Sequence, residues 1–363
     1  MKKRICIVAG ARPNFVKVAP LMRAISRHDD VDCQLVYAGC TDDPTLEDSL
    51  FDDLQMPRPD VFLGVVSQSL NEITAQVMAA FDAYLATHAT DVVIVVDDLA
   101  STMAAAIVTK KRGLKLAHLV AGTRSFRIDM PKEINRLVID ALSDYLFTAG
   151  AKSAGVATRE QQSEQSQTYM VGNILVDTLR FNLPRFTPPA DFPLEPQSYL
   201  VLTLNRRALL ADEEHLRLML QTIVETANGV PIVAPLRDNV REVFSHLLPL
   251  TSYHSPLTSH LLPIPPLPYL EFGWLTSYAR GIITDSGNIA EEATFNGVPC
   301  ITLNDYTEHQ ETVTIGTNVL VGGDLQKLRD SLQQLLAGQW KQSALPDRWD
   351  GRTAERIVSI LTA

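Results

Sequence analysis

Short, unbroken runs of β-branched and apolar residues recur along this chain, alternating with stretches of helical periodicity. The alternation occurs in two series. The first has strand-like runs at Ile5–Val8, Cys33–Tyr37, Val92–Val96, Leu114–Val120, Tyr145–Thr148 and Tyr169–Val171. Helix patterns at Val16–Ser26, Leu70–Thr87 and Ser101–Arg112 lie between them. A strand that is apolar at every position is buried on both faces, which a helix-covered parallel sheet provides. Such βα alternation predicts a doubly wound α/β domain. A second series follows at Tyr199–Leu204, Val230–Val233, His260–Pro263, Gly281–Thr284, Pro299–Leu303 and Asn318–Val321. Five prolines crowd Asn182–Ser198 between the two series, so this stretch reads as a linker.

Length agrees with two domains. At 363 residues the chain exceeds the roughly 250–300 residues at which single cores stop growing. The expected division is 1–177 and 178–345. A closing helix in "DGRTAERIVSIL" (within 346–363) is expected to pack back towards the first domain. Ligands of open α/β sheets bind at the carboxyl ends of the strands. Two such domains would bring those ends to a shared cleft.

Composition excludes some classes. A net charge of −10 leaves no basic footprint for nucleic acid, although a few local arginines can still hold a phosphate. No apolar run reaches the about 18 residues of a membrane span, and the N-terminal apolar run is too short for a signal peptide. The four cysteines form no CxxC pair, and Cys6 and Cys300 read as buried free thiols. The eight histidines lack ligand spacing. A soluble cytoplasmic protein without metal or cofactor is expected.

Four motifs carry candidate chemistry. In "VAGARPNFVKVAPL" a strand ends at Gly10, and Arg12 and Lys17 flank a helix start that favours anions. They suit a diphosphate, or else are solvated cations of a plain strand–helix turn. In "TDSGNIAEEATFNGVPC" a strand ends in Asp-Ser-Gly. Ser286 and Gly287 offer phosphate-binding groups, and Glu291 or Glu292 could accept two ribose hydroxyls. Capping of the helix by Ser286 is expected as well. In "VVDDLASTMAAA" the acids Asp97 and Asp98 end an apolar strand, where desolvation would raise their pKa and make either a base. Helix capping is the plainer reading. In "LTLNRRALL", Arg206 follows a strand end and could reach a diphosphate, or it forms a surface pair with Arg207.

Together with "HLVAGTRS", "MPKEINR", "VGNILVDTL", "GVPCITLNDYTEHQET" and "GTNVLVGG", these stretches resemble the non-hydrolysing UDP-N-acetylglucosamine 2-epimerase family along nearly the whole chain. The resemblance implies two Rossmann-like domains in a glycosyltransferase-B-like fold, a UDP-sugar ligand with UDP-N-acetylglucosamine foremost, a homodimer, and a place in cell-surface polysaccharide biosynthesis. It puts Arg12 and Lys17 at cationic positions and Phe272 beside the uracil. It puts Ser286 and Gly287 at the diphosphate turn and Glu292 on the ribose hydroxyls. Asn135 and Arg136 end the family's "PEEINR" motif, and Asp98 is the aspartate of "GDTTST".

The acid–base positions differ. The family's "HVEAG" glutamate falls on Val120, the first glutamate of "PEEINR" on Lys132, the histidine of "THRRE" on Asn205, and the glycine of "GDTTST" on Asp97. The arginine of "ERPE" falls on His309. A Gln-His effector segment is missing from "AGCTDDPTLEDSL". The family reaction removes the C2 proton, expels UDP and re-adds it with C2 inverted. Asp97, Asp98, Lys132 and Glu133 are the candidates to carry that chemistry here. Two alternatives stand beside an epimerase with an altered acid–base set: a UDP-sugar-binding paralogue without chemistry, and a glycosyltransferase of the same fold.

Overall fold

The computed structural model describes residues 2–161, 163–247 and 260–363. The chain folds as two compact units, Met1–Phe181 with Asp347–Ala363, and Asn182–Pro346.

The first unit begins with β1 (Lys3–Ala9), α1 (Arg12–Ile25), β2 (Val31–Tyr37), α2 (Asp48–Leu54), β3 (Val61–Phe62), α3 (Leu70–Thr87) and β4 (Val92–Val96). It continues with α4 (Ala100–Lys111), β5 (Lys115–Leu119), α5 (Pro131–Leu142), β6 (Tyr145–Thr148), α6 (Ala151–Arg159), β7 (Gln167–Met170) and α7 (Ile174–Asn182). Among the described residues its seven strands are ordered β3-β2-β1-β4-β5-β6-β7, with parallel pairings. β4 is fully buried along its length, as its uninterrupted Val92–Val96 run requires. Phe81, Val93, Val95 and Leu116 belong to one core cluster on this sheet.

In the second unit, β8 (Leu200–Thr203) is followed by α8 (Arg207–Ala211), α9 (Glu213–Ala227), β9 (Ile232–Pro235), α10 (Asp238–Leu247), β10 (Leu261–Ile264) and α11 (Tyr269–Ser277). Then come β11 (Gly281–Thr284), α12 (Gly287–Asn296), β12 (Cys300–Thr302), α13 (Gln310–Thr314), β13 (Asn318–Leu320) and α14 (Leu325–Leu336). Its six described strands run β10-β9-β8-β11-β12-β13, again with parallel pairings. The last helix, α15 (Thr353–Thr362), belongs to the first unit and packs on α1. Asp177 on α7 accepts hydrogen bonds from the Thr353 and Ala354 amides and so caps it.

In each sheet the strand order reverses once, between β1 and β4 and between β8 and β11. Ligand sites of doubly wound sheets lie at these switch points. The loops there are Gly10–Arg12 with Asp97–Ser101, and Asn205–Arg206 with Asp285–Gly287. Each falls within one of the four sequence motifs.

Two local expectations are corrected. The first helix starts at Arg12 and not at Val16, because Pro13 is tolerated in a first turn and the Asn14 side chain turns back to accept from the Gly10 and Ala11 amides. Ser286 stands at the N-cap position of α12, yet its side chain caps no amide. Ser286 thus leaves the amides of that first turn uncapped, and a helix gives them no partner of its own.

Candidate functional site

At the end of β4 the chain turns into left-handed backbone at Asp97, with φ 61°. The Lys17 ammonium lies 2.6 Å from one oxygen of its carboxylate, and the Asn14 amide donates to the other at 2.8 Å. Lys17, expected as a cation for the ligand, is buried and pairs with this aspartate. Its neighbour Arg12 differs: half-buried at the start of α1, it has no hydrogen-bond, ion-pair or ring partner among the described residues.

Asp98 accepts from Arg136 Nε at 2.7 Å, has Arg136 Nη2 at 2.5 Å, and lies 3.3 Å from Lys132 Nζ. The expectation that desolvation would raise its pKa is overturned. Burial does push it up, but Lys132, Arg136 and Lys17 outweigh that and hold the carboxyl below its ordinary range. Lys132 keeps a side chain 57% exposed; the Asp98 side chain is 13% exposed. The Asn135 side chain donates to the Asp98 carbonyl and fixes the turn.

Glu133 faces the other way. Its oxygens accept from the Ser125 amide and hydroxyl, the Phe126 amide and Arg136 Nη1, at 2.8 to 3.1 Å. Burial raises its pKa and these donors more than reverse the effect. It clamps the loop between β5 and α5.

That loop begins at Val120, where β5 ends. Val120 has φ 74°, which its branched Cβ disfavours strongly. Phe126 follows in the same region at φ 58°. Strain of this kind, of order 1–3 kcal/mol per residue, persists only where the surroundings enforce it. Here the Val120 amide bonds the Phe147 carbonyl on β6, and Gly122 donates to Asp140. A side chain on Gly122 would meet the Ser153 carbonyl 2.1 Å away, so the turn packs directly on α6.

A buried chain of groups stands behind these residues, and sequence reasoning missed it. His118 Nδ1 lies 2.5 Å from Asp140, and its Nε2 is 3.1 Å from the Asp97 carbonyl, which it bonds from below the turn. Arg124 bridges Asp140 and Glu160. Burial raises the Asp140 pKa, but His118 and Arg124 pull it below the ordinary value. A signal was present: Glu133, Arg136 and Asp140 recur at helical spacing on one face of α5. A cavity of about 400 Å³ adjoins Gly10 and Ser101, lined also by Tyr37, Cys40, Asp42 and Asp43.

The second unit builds a different site. Asp285 ends β11 and accepts the Asn205 and Arg206 amides at 2.7 and 2.8 Å, joining the two strand ends. Its other oxygen is buried without a hydrogen bond among the described residues. Arg206 donates to the Tyr306 hydroxyl, and its guanidinium carbon lies 5.3 Å from that ring's centroid. Ser286, Gly287 and Asn288 are half-buried around the first turn of α12. Phe272 on α11 is partly buried against the core cluster that contains Ile289 and Ala290.

On α12, Glu291 pairs with His309 at 3.1 Å. Glu292 is buried, yet among the described residues it has neither a hydrogen bond nor an ion pair. Burial, reinforced by the Glu291 charge, pushes its pKa up to about 8. An unsatisfied buried carboxylate is costly, which points to a group that satisfies it when bound.

Two doubly wound sheets, each with its polar residues at the switch point, define a glycosyltransferase-B-like α/β protein. A family model described as UDP-N-acetylglucosamine 2-epimerase matches residues 23–362, and the chain belongs to that family. It is 30% identical over 369 residues to the UDP-N-acetylglucosamine 2-epimerase of Methanocaldococcus jannaschii, covering 99% of both chains. That enzyme's crystal structure in complex with UDP-GlcNAc and UDP matches at a TM-score of 0.85, with 31% identity and 99% of both chains covered. The UDP-2,3-diacetamido-2,3-dideoxy-D-glucuronate 2-epimerase of Pseudomonas aeruginosa is 30% identical over 360 residues, with 99% of both chains covered. The Neisseria meningitidis UDP-GlcNAc 2-epimerase bound to UDP-GlcNAc matches at TM-score 0.87 and 26% identity, covering 99% of both chains.

Proposed function

We propose that this chain binds a UDP-linked 2-acetamido sugar and interconverts its C2 epimers. The observation that carries the nucleotide part is Glu292, a buried carboxylate without a partner among the described residues, one turn beyond an uncapped helix start. In this reading the diphosphate lies on the Ser286–Gly287 turn with Arg206 as a cation, and Arg12 is the cation that the first unit keeps for the ligand. The ribose diol donates both hydroxyls to Glu292, and the uracil lies by Phe272. The Methanocaldococcus and Pseudomonas relatives are both 2-epimerases of UDP-linked sugars, and both sugars carry an acetamido group at C2.

The chemical part uses what remains in the first unit. The C2–H bond breaks as the proton moves to a carboxylate, the C1–O bond to UDP breaks, and a C1=C2 double bond forms. UDP oxygen then returns to C1 while C2 takes a proton on the opposite face. Asp98 is the acceptor in this reading, since its neighbours keep it ionised. Lys132, 3.3 Å from Asp98 and so on the same face, keeps that carboxylate ionised, and the proton that C2 regains on the other face comes from solvent. Lys17–Asp97 and Glu133 act as positioning groups. The same reading takes the protein as a cytoplasmic homodimer, which light scattering tests as to oligomeric state.

One set of observations favours a second reading, a UDP-sugar binder without chemistry. Asp97 and Asp98 both lie in ion pairs, and Val120 stands where the family has a carboxylate. Proton NMR of UDP-N-acetylglucosamine with the protein in deuterated water separates the two. Exchange at C2, or a UDP-N-acetylmannosamine signal, is the result expected for an epimerase. Line broadening of the ligand without exchange would leave only the binder.

A further inference from the structure

We propose that a groove in the first unit, bounded by α1, α7 and the start of α15, is a binding site for a phosphate-bearing small molecule, separate from the residues at the strand ends. The groove encloses about 570 Å³, within the range of about 300–1,000 Å³ typical of small-molecule sites. Four arginines line it: Arg23, Arg27, Arg180 and Arg352.

The partners of these arginines decide how much charge is left for a ligand. Arg180 donates to the Asp350 carbonyl. Arg23 donates to the Leu54 carbonyl at 2.7 Å, and its guanidinium lies 3.9 Å over the Phe181 ring. A backbone carbonyl orients a guanidinium without cancelling its charge, which leaves the Arg180 charge to a ligand. Glu355 takes Arg352 at 2.9 Å and reaches Arg27 only at 3.9 Å, so one carboxylate serves two cations. Asp177, the other acid on the groove, is occupied by the α15 amides. Among the lining residues four arginines face two carboxylates, on a chain whose net charge is −10.

The shape is built as well as charged. Gly351 has φ 73°, and a Cβ there would lie 2.6 Å from Arg180 Cδ. The glycine thus permits both the turn and the seat of that arginine. Pro20, Ala24, Phe181 and Ala354 supply apolar lining. Planar guanidinium groups suit the oxygens of phosphate, and the apolar surface suits a neutral body attached to it. A phosphate ester or oligophosphate of metabolite size matches both features.

The test is calorimetry with tripolyphosphate, run with and without excess UDP. One tripolyphosphate per chain is expected to bind in both conditions. The double variant Arg27→Glu/Arg352→Glu should weaken it at least about tenfold while leaving UDP binding and the melting temperature in place. Both side chains are largely exposed, at 70% and 65%, so the reversal costs no core packing. Loss of tripolyphosphate binding when UDP is added, no binding at all, or equal affinity in the variant would each overturn the proposal. Should the double variant not fold, Arg27→Gln alone is expected to weaken binding about threefold, and unchanged affinity would overturn it. Because the comparison is between tripolyphosphate affinities, it holds whatever the outcome for the proposed epimerisation.

Discussion

The two switch points solve opposite electrostatic problems. In the first unit the three candidate carboxylates are already satisfied: Asp97 by Lys17 and Asn14, Asp98 by Arg136 and Lys132, Glu133 by a loop and Arg136. In the second unit Glu292 has no partner among the described residues, and the Ser286 side chain does not cap the start of α12. Satisfied charges hold a backbone in place, while unsatisfied ones await a ligand. The candidate carboxylates of the first switch point therefore lie in ion pairs and hydrogen bonds, and Glu292 of the second does not.

The largest expected effect would break this contrast on the chemical side. Asp98→Asn should lower C2 exchange by at least about 100-fold, the usual loss for a general acid–base group, with UDP affinity nearly unchanged. Exchange that survives would remove Asp98 from the reaction. Next comes Glu133→Ala, which leaves the Ser125 and Phe126 amides and Arg136 without their acceptor. It should destabilise the protein by roughly 2–4 kcal/mol in urea unfolding, and a loss below about 0.5 kcal/mol would deny Glu133 its clamp. Smaller again is Val120→Gly. Relief of a branched residue at φ 74° is expected to stabilise by about 1 kcal/mol, read as a raised urea midpoint.

The pH dependence of stability sharpens the other half. The folded-state pKa of Glu292, about 8, lies above its unfolded value near 4.5. The folded state therefore binds the extra proton, and this group's contribution to stability falls as pH rises from about 4.5 to about 8, then levels. Glu292→Gln should flatten that slope between about pH 5 and 8. An identical slope in the variant would place the titrating group elsewhere.

Much of this was legible in the sequence because burial leaves a strong mark there. Val92–Val96 and Gly281–Thr284 read as strands, since side chains there must be apolar or small and internally hydrogen-bonded when helices cover both faces. The four loops at the switch points were legible as well, through Gly, Pro and charged residues just beyond a strand. Partnership was not legible. Nothing local tells that Lys17 will fold onto Asp97, eighty residues away, or that three cations will outweigh the desolvation of Asp98. Left-handed backbone at Val120 was equally hidden, because propensity argues against a branched residue there and only the β5–β6 and α6 contacts impose it.

The most direct test of an open nucleotide site is isothermal calorimetry of UDP in two buffers of different ionisation enthalpy near pH 7, with the native protein and Glu292→Gln. Two ribose hydroxyls on Glu292 favour its ionised form, so the native protein should release a proton on binding and bind more tightly as pH rises towards about 8. The variant should release none and bind about tenfold more weakly or worse. Equal affinity and equal proton release in both proteins would contradict the claim that the second unit keeps an open nucleotide site at Glu292.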